Sequence, residues 1–214
     1  PVEGTNGLDV GGYSTNLEDK RRYYELYNDV IVAAFICGTS RIAVINSGET
    51  WSTSHSGLCC DWHQIVAHNA DKPEIPEAQA TMLAAQRLFF ESVFIDLVSK
   101  LDVEEANGVS YLDNSLVFWT QESGSTTHNP QSLPVVTAGS AAGVLATGQY
   151  LDYRNRQNLA IANTDYYPEY ALARPGILYN RWLATVLRAV NVQPDEFEHP
   201  GERGYGLLTN ENPQ

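Results

Sequence analysis

Glu122 and His128 follow directly on the short apolar run Ser115–Thr120, so a carboxylate and an imidazole stand at the end of what reads as a buried strand. In α/β sheets, ligands gather outside the carboxyl ends of the strands, where a metal or anion site is built. Upstream, His63 and His68 bracket the hexapeptide HQIVAH. Imidazole nitrogen and carboxylate oxygen together suit zinc, manganese or iron, and a catalytic site needs about three protein ligands with one position left open. The candidate metal ligands are His128, Glu122, His63 and His68, drawn from two distant segments that a shared ion would staple together. Each has a plainer reading beside it. His63 next to Trp62 is equally a packed or hydrogen-bonded side chain, and His68, five residues on, does not share a face with it on a regular helix, where neighbours are three or four apart. Glu122 can accept amide hydrogen bonds from its own turn. His55 and His199 have no motif around them and read as surface residues.

Other chemistries find less support. No GxSxG elbow occurs, so neither Ser125 nor Ser140 reads as a nucleophile. GxxxxGK and GxGxxG are absent too, and Gly139, Gly143 and Gly148 are spaced for turns. Thirteen Lys and Arg against 26 Asp and Glu leave a formal charge of -13, which repels nucleic-acid backbones and anionic membrane surfaces. The longest apolar stretch, Val30–Cys37, falls far short of the roughly 20 residues a bilayer span needs. Neither nucleic acid nor a direct membrane span is expected.

The elements that must position these residues alternate between helix and strand, which predicts an α/β fold with a mostly parallel sheet and flanking helices in a single domain over 1–214. A 43% hydrophobic content over 214 residues is enough for a substantial core. Thr15 or Asn16 caps a first helix that carries Tyr24, Tyr27, Val30 and Ile31 at helical spacing and ends at Gly38. Arg41–Ile45 then reads as a strand. Trp51–Asp71, rich in Ser, Gly, His and Cys, reads as a long loop of the kind that carries function. The longest helix runs from Pro76 to Leu101 with Met82, Leu83, Leu88, Phe89, Val93, Phe94 and Leu97 on its apolar face, and is expected to lie across the sheet. Ser115–Thr120 and Leu133–Ala138 are the remaining strands, expected as parallel neighbours of Arg41–Ile45 with Glu122 and His128 close together at their carboxyl edge. Gly143–Pro175, with Tyr150, Tyr153, Tyr166, Tyr167 and Tyr170, reads as an aromatic surface segment, and Ile177–Val190 as the last helix.

Three cysteines leave two readings open. Cys37 pairs with Cys59 or Cys60, or all three are buried free thiols. The chain opens on Pro1 rather than Met, so any export signal is expected upstream of it.

Several of these stretches resemble an exported bacterial family of unknown function named for an HXXSHH motif, related to the alkaline-phosphatase-like group. The resembling residues are LDNSLVFWTQE with His128 downstream, LPVVTAG, GVLATGQYLDY and GILYNRWLATVLRAVNV, while HQIVAH falls where the family motif would. His63 and His68 match the first and last histidines of that motif, whereas Val66 and Ala67 replace its serine and middle histidine. The resemblance implies the C-terminal half of a larger alkaline-phosphatase-like domain. It also implies export to the periplasm, cell surface or medium, and a divalent-metal role for Glu122 and His128. Two functions follow as expectations. The first is a non-catalytic subunit of an exported assembly with protein partners, for which the altered motif and the tyrosine-rich segment speak. The second is a metal-dependent phosphate or sulfate ester hydrolase whose nucleophile lies in an N-terminal half outside this sequence.

Overall fold

The structure is a computed structural model and describes residues 17–46, 62–121, 132–154 and 176–197. It divides into two compact units, Pro1–Leu112 and Asp113–Gln214.

In the first unit, helix α1 (Leu17–Ile36) buries a stripe of Lys20, Tyr24, Asn28 and Ile31, spaced four, four and three apart as one helical face requires. Burial lowers the pKa of Lys20. Tyr27 and Val30, expected on the apolar face, are exposed instead, because the buried Asn28 turns the helix so that Tyr24 and Ile31 point inward. The helix ends as its sequence requires. Gly38 takes φ +67°, and the Thr39 amide donates back to the Ala34 carbonyl at 2.9 Å, closing a Schellman-type turn.

The long Pro76–Leu101 stretch is helical throughout but not uniform: α2 (Pro76–Phe89) passes into a π-helical turn, Phe90–Ile95, and resumes as α3 (Asp96–Leu101). Pro76 opens it, where its missing N–H costs nothing. Ala78, Thr81 and Ala85 are buried, then Ser92, Val93 and Phe94, then Leu97 and Leu101. Leu83, expected inside, is largely exposed. This helix packs on α1 and not across a sheet. Asn28 Nδ2 donates to the Ser92 and Val93 carbonyls at 3.3 and 3.0 Å and to Asp96 Oδ2 at 2.8 Å. Widening of the turn to i→i+5 bonding makes main-chain carbonyls available to such a side chain. Lys100 adds a second tie, with Nζ 2.7 Å from Asp29, 2.8 Å from Asp96 and 2.8 Å from the Glu25 carbonyl. Partial burial acts to lower its pKa, but the hydrogen bonds and charges of Asp29 and Asp96 outweigh it, so the pKa is raised. Beyond α3, β1 (Glu104–Ala106) and β2 (Val109–Ser110) form a hairpin turned by Asn107 and Gly108, both at positive φ.

In the second unit, β3 (Val117–Thr120) pairs with β4 (Val135–Ala138) antiparallel, with Val117 opposite Ala138 and Thr120 opposite Val135. Helix α4 (Tyr179–Ala189) and the single turn α5 (Pro194–Phe197) follow. Trp182 of α4 meets Phe118 of β3 edge-on at 6.0 Å between ring centroids. Gly176 passes so close to the chain that a β-carbon there would lie 2.2 Å from the Tyr153 carbonyl oxygen, so only glycine fits.

The expected α/β fold with a mostly parallel sheet and flanking helices is therefore incorrect: among the described residues the strands form two small antiparallel two-stranded sheets. A parallel neighbour demands a crossover of a dozen or more residues, usually through a helix, and the 121–134 connection, QESGSTTHNPQSLP, has no helical period to build one. The chain reverses and returns alongside itself. Arg41–Ile45, expected as a strand, lies outside helix and sheet and forms no ladder among the described residues. Cys37 is an exposed free thiol, in accord with neither the bridged nor the buried reading.

Replacing Asn28 by leucine is expected to cost about 1–3 kcal/mol, because two buried carbonyls and Asp96 lose their donor. Urea denaturation is expected to show the midpoint falling at unchanged slope, and an unchanged midpoint would remove Asn28 from this role.

Candidate functional site

The segment that follows residue 61 begins with a π-helical turn, Trp62–Val66, and continues as a 3-10 turn, Ala67–Asn69. Two apolar anchors fix it to the first unit. Val66 has no exposure at all, and Trp62 packs, partly buried, on the cluster of Tyr24, Ala85 and Val93. With the anchors four residues apart, the residues between and after them turn outward.

That turn brings two of the four candidate ligands together. The Nε2 atoms of His63 and His68 lie 3.0 Å apart, with ring centroids 4.6 Å apart and ring planes at 58°. On a regular α-helix a spacing of five places side chains on different faces, but here the π-helical turn that carries His63 gives way to the 3-10 turn that carries His68, and the change of pitch brings the two rings together. The expectation that His63 and His68 could not share a face fails for this reason. A neutral pair at this distance shares one proton, with one ring carrying it on Nε2 and the other accepting. Both rings are partly buried, which shields the pair from bulk water without closing it off.

Asn69 holds the turn in this form. Its Nδ2 donates to the Gln64 carbonyl at 3.1 Å and to the Ile65 carbonyl at 2.9 Å, and Lys72 Nζ donates to its Oδ1 at 2.8 Å. Asn69 was not among the candidates. The one signal for it is its residue type, since asparagine side chains bond nearby main-chain groups readily.

Glu122 and His128 lie outside the described residues, as do His55 and His199. Among the described residues no group of three or more His, Cys, Asp or Glu side chains comes together, so His63 with His68 is one ligand short of the set a catalytic metal requires.

A second feature of the same unit is the segment Arg41–Ile45, which lies outside helix and sheet. Ile45 points inward onto the Tyr24 cluster, while Ile42 and Val44 are 81% and 86% exposed. Both main-chain polar groups of Ile42 are used by the Ser40 hydroxyl, which accepts from the amide at 3.4 Å and donates to the carbonyl at 2.8 Å. Ala43, Val44 and Ile45 make no hydrogen bond to any described residue.

Comparison with known proteins adds no relative: no family model, no curated protein and no solved structure matches the chain. No helix among the described residues is long and apolar enough to cross a membrane.

Removing the Asn69 amide by substitution with alanine is expected to release the Gln64 and Ile65 carbonyls and let His63 and His68 separate, at a cost of about 0.5–1.5 kcal/mol. Nuclear Overhauser contacts between the two imidazole rings report this directly. They are expected in the wild type and weakened or lost in Asn69→Ala, and contacts of equal strength in both would show that Asn69 does not set the turn.

Proposed function

We propose that the chain is a non-catalytic subunit of an exported assembly, and that it joins a partner protein by accepting a β-strand along Arg41–Ile45. The observation that carries this reading is the state of that segment. It lies outside helix and sheet, and Ile42–Ile45 is apolar at every position, as strands covered on both sides are. Its inner face rests on the core through Ile45, its outer face presents Ile42 and Val44 to solvent, and the main-chain groups of residues 43–45 have no bond to a described residue. Unpaired main-chain groups beside exposed branched side chains are a template for strand addition, in which the ladder supplies affinity and alternate side chains supply specificity.

The second unit supports the same reading independently. None of the residues of β3 or β4 is fully buried, and a two-stranded sheet in water is marginal unless something covers a face. The acidic charge favours a protein partner over a polyanion. Export enters the proposal through the family resemblance of the sequence. The tyrosine-rich stretch expected at the interface includes Tyr150, which is almost fully exposed, while Tyr166, Tyr167 and Tyr170 lie outside the described residues.

The second reading, a metal-dependent phosphate or sulfate ester hydrolase, is favoured by the convergence of His63 and His68. It requires at least one further ligand and a nucleophile.

Sedimentation velocity tests the association. The isolated chain is expected to self-associate with rising concentration, since an open edge pairs with a second copy when its partner is absent. The double substitution Ile42→Lys, Val44→Lys is expected to leave a monomer with an unchanged far-ultraviolet circular dichroism spectrum. A wild type that remains a monodisperse monomer at every concentration would reject the association reading and leave the hydrolase first.

A further inference from the structure

We propose that His63 and His68 together bind one divalent transition metal through their Nε2 atoms, as a two-imidazole site with the tetragonal preference of nickel(II) or copper(II). The distance carries the choice of metal class. An imidazole–metal bond of about 2.0–2.1 Å gives a nitrogen–metal–nitrogen angle of about 94° when the two nitrogens stand 3.0 Å apart. That is close to the right angle between neighbouring ligands of a square-planar or octahedral ion. A tetrahedral ion would need the nitrogens about 3.3 Å apart.

Two neutral imidazoles whose Nε2 atoms face each other hold a proton between them, and a metal replaces it. The ring that carried the proton on Nε2 returns it to Nδ1, both Nε2 lone pairs then point at the ion, and no net proton is released from a neutral pair. The site is held before the ion arrives. Trp62 and Val66 pin the π-helical turn to the core, and Asn69 bonds the Gln64 and Ile65 carbonyls beneath it. Fixing two ligands at bonding separation removes the ordering cost that a flexible pair would meet on binding. The two histidines supply two coordination positions, and the others are open to water or to further donors. The site does not depend on strand addition at Arg41–Ile45.

Isothermal titration of the untagged, purified chain with Ni2+ tests the proposal. The wild type is expected to bind one equivalent, and His63→Ala or His68→Ala to weaken it at least about tenfold, which is about 1.4 kcal/mol. A variant lacking the other histidines, His55→Ala, His128→Ala, His199→Ala, is expected to bind as the wild type does. The spacing itself is tested by Ile65→His, His68→Ala, which keeps two imidazoles but places them two apart, on opposite sides of the turn, and which is expected to bind as weakly as the single variants. Folding of each variant is followed by circular dichroism, and the spacing variant decides the matter if a single substitution unfolds the chain. Absence of Ni2+ binding by the wild type, equal binding by the spacing variant, or loss of binding only in the triple variant would each overturn the assignment.

Discussion

The buried amide of Asn28 is the contact on which the first unit depends. It sits with no exposure between α1 and the π-helical turn of the long helix, and bonds the Ser92 and Val93 carbonyls together with Asp96. A polar group taken out of water must find such partners, so the amide fixes which face of α1 turns inward and where along Phe90–Ile95 it docks. The rest follows from that docking. Tyr24 and Ile31 fall into the core on either side of Asn28, Tyr24 meets Phe89 and Val93, and the cluster thus formed receives Ile45 and Trp62. Ile45 holds down the segment Arg41–Ile45, and Trp62 holds the turn that carries the two histidines. One hydrogen-bonded contact between two helices therefore positions both the segment and the histidine pair.

Much of the element map is legible in the sequence, because it depends on local chemistry. The first helix with its Gly38 stop, the long helix opened by Pro76, and both strands of the second unit are written in periodicity and in turn residues. What depends on tertiary context is not. The pattern of Tyr24, Tyr27, Val30 and Ile31 suits more than one helical face, and only the polar demand of Asn28 selects between them. The antiparallel direction of β4 is set by its pairing with β3, which no local pattern encodes. The Asn107-Gly108 pair is a strong hairpin signal, but the strands it joins are too short to show a period of their own.

The histidine pair was hidden for a different reason. Sequence spacing is read against the α-helix, where residues five apart diverge, and the π-helical turn has no simple composition by which to announce itself. Once that turn is present, a spacing that argues against a shared site becomes the spacing that builds one. The same irregular geometry recurs at Phe90–Ile95, where it exposes carbonyls for Asn28 and where nothing in the sequence marks it. Two local widenings of helix thus do most of what regular elements do not: one receives α1, and the other aligns two imidazoles.

The segment Arg41–Ile45 is where the proposed association would take place. It is anchored through Ile45 and exposes Ile42 and Val44, and on the proposed reading a partner strand covers it. Hydrogen exchange at the amides of Ala43, Val44 and Ile45 tests this most directly, because an amide without an acceptor exchanges at close to the rate of an open chain. At concentrations low enough to keep the chain monomeric, these three amides are expected to exchange without protection, and to become protected as association sets in. Strong protection in the dilute monomer would show that the edge is already paired, and would contradict the account.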